Sequence, residues 1–191
     1  VRKDKSLYDA MNQAFEWLSN SKLVKENDIL HFLNSDDYLS NKNIFRKING
    51  TLKNGIDIAC GSVSFEDKKG KVKRVLSSRF VNNKYGLYLG AKPPHPGFFC
   101  RAKLYLERRF LVEHSIAADY ELMLQILLKN FNKIIIIDDI LVNMVIGGKS
   151  TENYKAFIRG QLESLWVRQK LFGKLVAYLG ILKPIISFKR K

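Results

Sequence analysis

Ile29-Leu30-His31-Phe32-Leu33-Asn34-Ser35-Asp36-Asp37-Tyr38-Leu39 is the stretch that decides how this 191-residue chain folds. An apolar run of strand length stops abruptly at Asn-Ser-Asp-Asp, so a strand from Asp28 to Leu33 delivers an amide and two carboxylates to one sheet edge. In α/β proteins the crevice beyond the carboxyl ends of the strands is where ligands bind. Adjacent acids repel each other, and a hard divalent cation that also takes phosphate oxygens offsets the repulsion. Asn, Ser and Asp equally suit a turn or a helix N-cap. On these residues alone the metal site and the cap stand side by side.

Upstream, Tyr8, Met11, Phe15 and Leu18, with Leu7 and Ala14 beside them, recur at helical spacing and predict an amphipathic helix over about residues 5–19. Downstream, Asn41 to about Lys53 reads as a second helix, stopped by Asn54-Gly55. Ile56–Phe65 and Val72–Leu76, joined by Glu66-Asp67-Lys68-Lys69-Gly70, form a hairpin. Residues 77–92 are read as a mobile loop. Pro93-Pro94-His95-Pro96-Gly97 cannot be helix interior, since proline lacks an N–H and has a fixed φ. Phe98–Cys100 is then a short strand and Ala102–Glu107 a short helix. The leucines and isoleucines between Ala118 and Asn130 suit a mostly buried helix. Lys133–Ile137 is a core strand, which resumes over Ile140–Ile146 after an Asp138-Asp139 turn. Residues 151–173 return to helix, and 174–188 form a last apolar and basic stretch. There is no internal repeat. Strands alternating with helices in mixed order predict an α/β fold with at least one antiparallel strand.

At 46% hydrophobic, the chain can bury one domain, with room for a small appendage. Its net charge of +15 is uneven: residues 155–191 carry +8, leaving +7 on the first 154. Such a basic end suits an anionic surface, either phospholipid headgroups or nucleic acid, or is a solvated tail. Cys60 and Cys100 lack metal-ligand spacing and read as reduced, small apolar residues of a cytosolic protein, a surface disulfide being the other reading. No secretory signal is read ahead of the first motif, and the opening at Val1 is read as an interior position of a longer protein.

Four features taken in order resemble the inverting family-2 glycosyltransferases with a GT-A fold. Asp4-Lys5-Ser6-Leu7-Tyr8-Asp9-Ala10-Met11-Asn12 is similar to that family's D-x-G-x-Y-D-A-M-N helix start. Phe32-Leu33-Asn34-Ser35-Asp36-Asp37 resembles its DxD-type strand end, and His95-Pro96-Gly97-Phe98-Phe99-Cys100-Arg101 its H-x-x-x-F-x-R strand. Ala118-Asp119-Tyr120-Glu121-Leu122 resembles its acid motif, with Gly147-Gly148-Lys149-Ser150 where the family has GG-x-S. The chain departs from the pattern in carrying Asn34 at the first DxD position and in lacking the family's N-terminal strand with its Pro-x-Tyr-Asn turn. That missing piece is at least one βαβ unit, roughly 30 residues. The resemblance thus implies a GT-A-like mixed sheet over residues 1–154, N-terminally truncated as a fragment or a natural product, and a basic helical extension over 155–191.

The resemblance also implies roles. A nucleotide-sugar donor leaves as a diphosphate, whose charge Mg²⁺ or Mn²⁺ stabilises. Asp36 is the expected metal ligand. Asp37 is a second ligand, a water-mediated supporter, or the cap of the following helix. Asn34 would hydrogen-bond the ribose. Asp119 is the expected general base for the acceptor hydroxyl, or an acid placed to favour a helix dipole. His95 is a donor near sugar or diphosphate, or a ring satisfied by turn carbonyls. Asp4 and Asn12 resemble nucleotide-proximal residues, although Asn12 could equally tie its helix to a loop. Lys149 and Ser150 meet phosphate or acceptor, or simply follow a turn. His31 is expected to be packed, His114 exposed, and Glu121 on the surface or behind the site.

At the C-terminal end Ile158, Leu162, Leu165, Phe172, Leu175, Val176 and Leu179 follow helical spacing, with Arg159, Arg168, Lys170 and Lys174 off that stripe. The run from Leu175 to Phe188 is too short to span a bilayer, which takes about 20 apolar residues. A basic amphipathic helix lying against the inner face of the cell membrane is the functional reading, and packing onto the domain the other for 155–173. Taken together, the expectation is transfer from a nucleotide sugar to a glycan or lipid-linked acceptor in bacterial surface polysaccharide synthesis. A catalytically dead remnant is the nearer alternative. A nucleic-acid-binding module is the more distant one, because no zinc, helix-turn-helix or RNA-recognition signature accompanies the charge.

Overall fold

The computed structural model describes residues 2–146 and 154–179. Helix α1 (Leu7–Ser21) begins at Ser6, whose hydroxyl accepts the Asp9 N–H, while the Asp9 carboxylate accepts the Lys5 N–H at 2.8 Å. This reciprocal cap fixes the start of the helix. Tyr8, Met11 and Phe15 face inward, as their spacing predicts. Strand β1 (Ile29–Leu30) leads through the acid loop to β2 (Tyr38–Leu39) and helix α2 (Ile44–Thr51). The paired part of β1 is shorter than the apolar run. Its partner β5 (Phe98–Arg101) matches Ile29 with Arg101 and Leu30 with Cys100, and the proline turn ahead of β5 then draws a side-chain bond from His31 instead.

Strands β3 (Ile58–Glu66) and β4 (Val72–Leu76) form the expected hairpin, with the Asp67 carboxylate accepting the N–H groups of Lys69 and Lys71 in the turn. The stretch expected to be a loop contains helix α3 (Lys84–Tyr88), capped by Asn83, with Val81 and Leu87 buried in the core. Burial of those two side chains, at ~1.5–3 kcal/mol each, orders a segment whose local composition predicts none. After β5 come α4 (Ala102–Leu106) and α5 (Ala118–Lys129). Strand β6 (Ile134–Val145) is continuous, and the expected turn is an irregularity within it. Its parallel register against β3 runs Gly61 to Ile137, then Ser62 to Ile140 and Val63 to Val142. The extra residues let Asp138 and Asp139 swing out to pair with Arg79 and Lys47. Helix α6 (Tyr154–Phe172) ends at Gly173, whose φ of +81° turns the chain into the helical residues 174–179.

The fold is mixed α/β. The sheet runs β1-β5-β3-β6-β2 with β4 added on β3, and β3–β6 is its parallel pair. Helices cover both faces. Ile58, Cys60, Phe98 and Cys100 pack toward α1, α4 and α5, whereas Ala59, Val63, Phe99 and Leu141 pack toward Ile44, Ile48 and Leu52. Both cysteines are free and buried. No helix among the described residues is long and apolar enough to cross a membrane.

Candidate active site

One end of the sheet gathers the loop after β1, the proline turn before β5, the first turns of α1 and the start of α5. Phe32, two residues ahead of Asn34, holds them together. Its ring lies 5.7 Å from that of His95, 5.4 Å from Phe110 and 5.2 Å from Phe15. The acid loop and the proline turn therefore share one aromatic wall.

His95 occupies a tight 3₁₀ turn (His95–Gly97) pressed against β3, where a side chain on Gly97 would meet the Gly61 carbonyl oxygen at 2.4 Å. The imidazole is 10% exposed, with Nδ1 3.9 Å from Asp119 Oδ2 and with Nε2 buried and unpartnered among the described residues. Burial lowers its pKa below the usual histidine value, and the nearby Asp119 charge only partly opposes this, so the ring is neutral at pH 7. The expectation of carbonyl partners for His95 is not met.

Asp119 is the second residue of α5, and its Oδ1 accepts the Tyr120 N–H at 2.6 Å in the first helical turn, a position that favours an acid. The Tyr8 hydroxyl lies 3.3 Å from that same oxygen and donates to the Ile116 carbonyl at 2.6 Å. Burial, then the charge of Asp119, push the Tyr8 phenol above its usual range. The Lys92 ammonium rests 4.6 Å from the Tyr120 ring centroid and donates to Ser164 Oγ at 3.3 Å. Burial lowers its pKa, and Asp119 and Glu163 pull it back up. Tyr8 and Lys92 were not singled out from the sequence as site residues. Tyr8 reads there as one more core position of an amphipathic helix, and Lys92 as one lysine among many.

In the acid loop, the Asp37 N–H donates to the Asn34 carbonyl at 3.1 Å and the Asn34 amide donates to Asp37 Oδ2 at 2.8 Å, closing a turn. Asp37 is buried and Asp36 exposed. Burial raises Asp37 above the usual carboxylate range; the Asn34 amide works against this and the charge of Asp36 adds to it. The capping role for Asp37 is not realised, because Asn43 stands at the α2 N-cap and Asn41 accepts its N–H. Next in the chain, Tyr38 donates to Glu66, whose other oxygen accepts from Ser64, and Ser64 also bonds Asn143 at 2.8 Å. Ser64 and Glu66 are buried in this cluster while Tyr38 is exposed, and it carries no local signal, since Glu66 reads as turn.

The remaining candidates divide. Asp4 is exposed, three residues ahead of α1. Asn12 donates to the Phe110 carbonyl at 2.9 Å and accepts the Phe110 N–H at 2.8 Å, so its amide ties α1 to the loop. Lys149 and Ser150 lie outside the described residues. His31 is packed as expected, stacked on Phe99 at 3.9 Å and donating to the Pro96 carbonyl at 2.7 Å. The exposed position expected of His114 is corrected: it is buried, its ring edge-on to Trp166 and its Nε2 3.4 Å from Glu121. Of the two positions expected of Glu121, the surface one is corrected: it is buried and bonded to Lys170 at 2.8 Å. Helix α6 covers both and supplies the ion-pair partner.

Among the described residues no group of three or more His, Cys, Asp or Glu side chains could hold a metal ion. Asp36 and Asp37 offer two hard oxygen donors at most, a set that suits Mg²⁺ or Mn²⁺ only with phosphate oxygens and water completing the shell. Comparison of the chain with protein-family models and with curated proteins returns no match.

Proposed function

We propose that this domain is a GT-A-like inverting glycosyltransferase, moving a sugar from a nucleotide-sugar donor to a glycan or lipid-linked acceptor in surface polysaccharide synthesis. The observation that carries this reading is the contact of His95 with both Asp119 and Phe32, the latter two residues ahead of the Asn34–Asp37 turn. Inversion requires a base on the face of the sugar opposite the leaving group, and Asp119 takes the proton of the acceptor hydroxyl there. Tyr8 and the Tyr120 N–H fix the orientation of its carboxylate. The neutral His95 presents Nε2, a buried polar atom with no partner of its own, to a sugar hydroxyl or phosphate oxygen. Asp36 and Asp37 would hold Mg²⁺ or Mn²⁺, which supplies charge stabilisation to the departing diphosphate. The enzyme works at the inner face of the cell membrane. Exposed Phe157, Leu162 and Trp166 on α6, beside the exposed Lys155 and Arg159, support that placement.

Calorimetric titration of nucleoside diphosphates with and without Mn²⁺ tests this reading. Asp36→Ala should abolish the metal-dependent binding. Asp119→Asn should keep it and lose transfer by at least a hundredfold, on the order of general-base contributions. Binding that ignores Mn²⁺, or full turnover without the Asp119 carboxylate, would reject it.

A further inference from the structure

Strands β1 and β3 both run antiparallel to β5, so the acid loop and the β3–β4 hairpin leave the sheet at the same end. Strand β5 pairs with β3 only over Ile58–Cys60, and the hairpin stands out beyond it. There the registers align Val75 with Ser64, Ser64 with Asn143 and Asn143 with Tyr38. Directly paired residues place their side chains on one face. The Tyr38 hydroxyl donates to Glu66, on the far side of β6, so its ring lies across this face and is fixed at its tip. Ser64 and Glu66 are buried there, and Tyr38 is 46% exposed. Tyr38 is also the residue after Asp37, so this face begins where the acid loop ends.

The hairpin carries the charge. From Lys68 to Leu106 the chain holds no acid, and residues 68–75, which include Lys68, Lys69, Lys71, Lys73 and Arg74, are all exposed. Its own two acids are engaged: Asp67 pairs with Lys73 at 2.9 Å, and Glu66 accepts from Tyr38 and Ser64. Arg74 lies 6.0 Å from the Phe65 ring on the opposite face. Lys68, Lys69 and Lys71 pair with no carboxylate among the described residues.

We propose that this face is a subsite for an acidic glycan chain, one sugar ring stacking on Tyr38 while Lys68, Lys69 and Lys71 meet its carboxylates. The proposal rests on the transfer reading above and adds the charge of the acceptor, whose hydroxyls remain free to attack. A tyrosine held at its hydroxyl offers a rigid, flat apolar surface at little entropic cost. Ammonium groups supply charge-assisted bonds to carboxylates. Single-stranded nucleic acid also suits lysines, but its binding uses aromatic side chains for successive bases, and this face presents one ring.

Calorimetric titration of the chain with tetragalacturonate, maltotetraose and octathymidylate tests the proposal. Tetragalacturonate should bind saturably, several-fold more tightly than neutral maltotetraose, and more weakly as salt rises from about 50 to about 300 mM. Lys68→Gln, Lys69→Gln and Lys71→Gln combined should weaken it at least about tenfold without moving the unfolding midpoint, since these side chains are solvated. Tyr38→Ser should weaken both saccharides. No saturable binding of tetragalacturonate, equal binding by the lysine variant, or tighter binding of octathymidylate would overturn the proposal, the last by assigning the face to nucleic acid. Nucleoside diphosphate binding with Mn²⁺, measured on the same proteins, separates the two readings. Its absence with tetragalacturonate binding intact rejects the transfer reading, and the converse rejects the glycan subsite.

Discussion

The Oε2 atom of Glu163 accepts the backbone N–H of Ala117 at 2.8 Å, so a carboxylate from α6 caps α5 across a gap of 46 residues. It also accepts the Ile116 N–H at 2.8 Å, while Oε1 takes the Ser115 hydroxyl at 2.9 Å. Helix α5 has no side-chain cap of its own, its N-cap being Ala117. An anion among unsatisfied N–H groups at a helix start is favourable both as hydrogen bonding and through the helix dipole.

Glu163→Ala should therefore cost about 2 kcal/mol in urea unfolding, with Glu163→Gln near half of that. The pH dependence has a definite sign. Burial raises the Glu163 pKa, but the bonds from Ala117, Ile116 and Ser115 outweigh it and hold the group below 4.5. A depressed acid adds stability above its unfolded value and loses it as pH falls through the folded one. The gap between wild type and Glu163→Gln should hence be widest above pH 4.5 and narrow below it. A constant gap would contradict the cap.

His31 supplies a second pH-dependent contribution. Burial pushes its imidazole down from 6.5 to about 4, against the bond to the Pro96 carbonyl. The unfolded chain takes up the proton first, so folded stability falls as pH drops from 6.5 to about 4. The loss approaches about 3 kcal/mol at the lower end. His31→Phe keeps the stack on Phe99 and removes the titration, so the variant should lose ground at pH 7 and recover it relative to wild type by pH 4.5. Parallel curves across that range would refute the assignment.

What could be read from the sequence was what depends on neighbours in the chain. The period of Tyr8, Met11 and Phe15 gave α1, and the turn chemistry of Asp67 and Gly70 gave the β3–β4 hairpin. Candidate acids were found because Asn34-Ser35-Asp36-Asp37 interrupts an apolar run. What depends on distant partners was not readable. Glu121 reads as a surface acid until Lys170, 49 residues on, covers it. The residues 81–88 have loop composition, yet Val81 and Leu87 fill a space made by other elements. On α6 the period is present but its phase is not evident: Val167, Arg168 and Leu171 turn inward, and Ile158 and Leu162 outward.

Gly97 connects fold and site. An added methyl would sit 2.4 Å from the Gly61 carbonyl oxygen, a backbone atom that cannot swing aside. Gly97→Ala should cost about 2–3 kcal/mol and move His95 with the turn. Gly50, in the last turn of α2, has nothing within 4 Å of the same position. Gly50→Ala should gain up to about 1 kcal/mol from helix propensity. Thermal unfolding of the pair measures both, and equal effects would show that packing at the proline turn is loose.

Arg168 tests whether α6 folds as one unit with α3 and the sheet. Its sequence neighbourhood suggests a solvated face, but the guanidinium is 4% exposed and faces backbone carbonyls rather than a carboxylate. It donates to Leu87 at 2.9 Å, to Val176 at 2.9 Å and to Ala177 at 3.3 Å, also reaches Tyr88, and lies 5.5 Å from the Phe172 ring. One side chain thus ties α3, α6 and residues 174–179 together, and a planar fork of donors is what allows it. Lysine offers a single ammonium that cannot reach both carbonyl pairs. Arg168→Lys should therefore cost about 2–3 kcal/mol, and amide exchange should quicken first in residues 84–90 and 174–179. Exchange that quickens uniformly across the sheet instead would mean that Arg168 supports the whole core, not this junction.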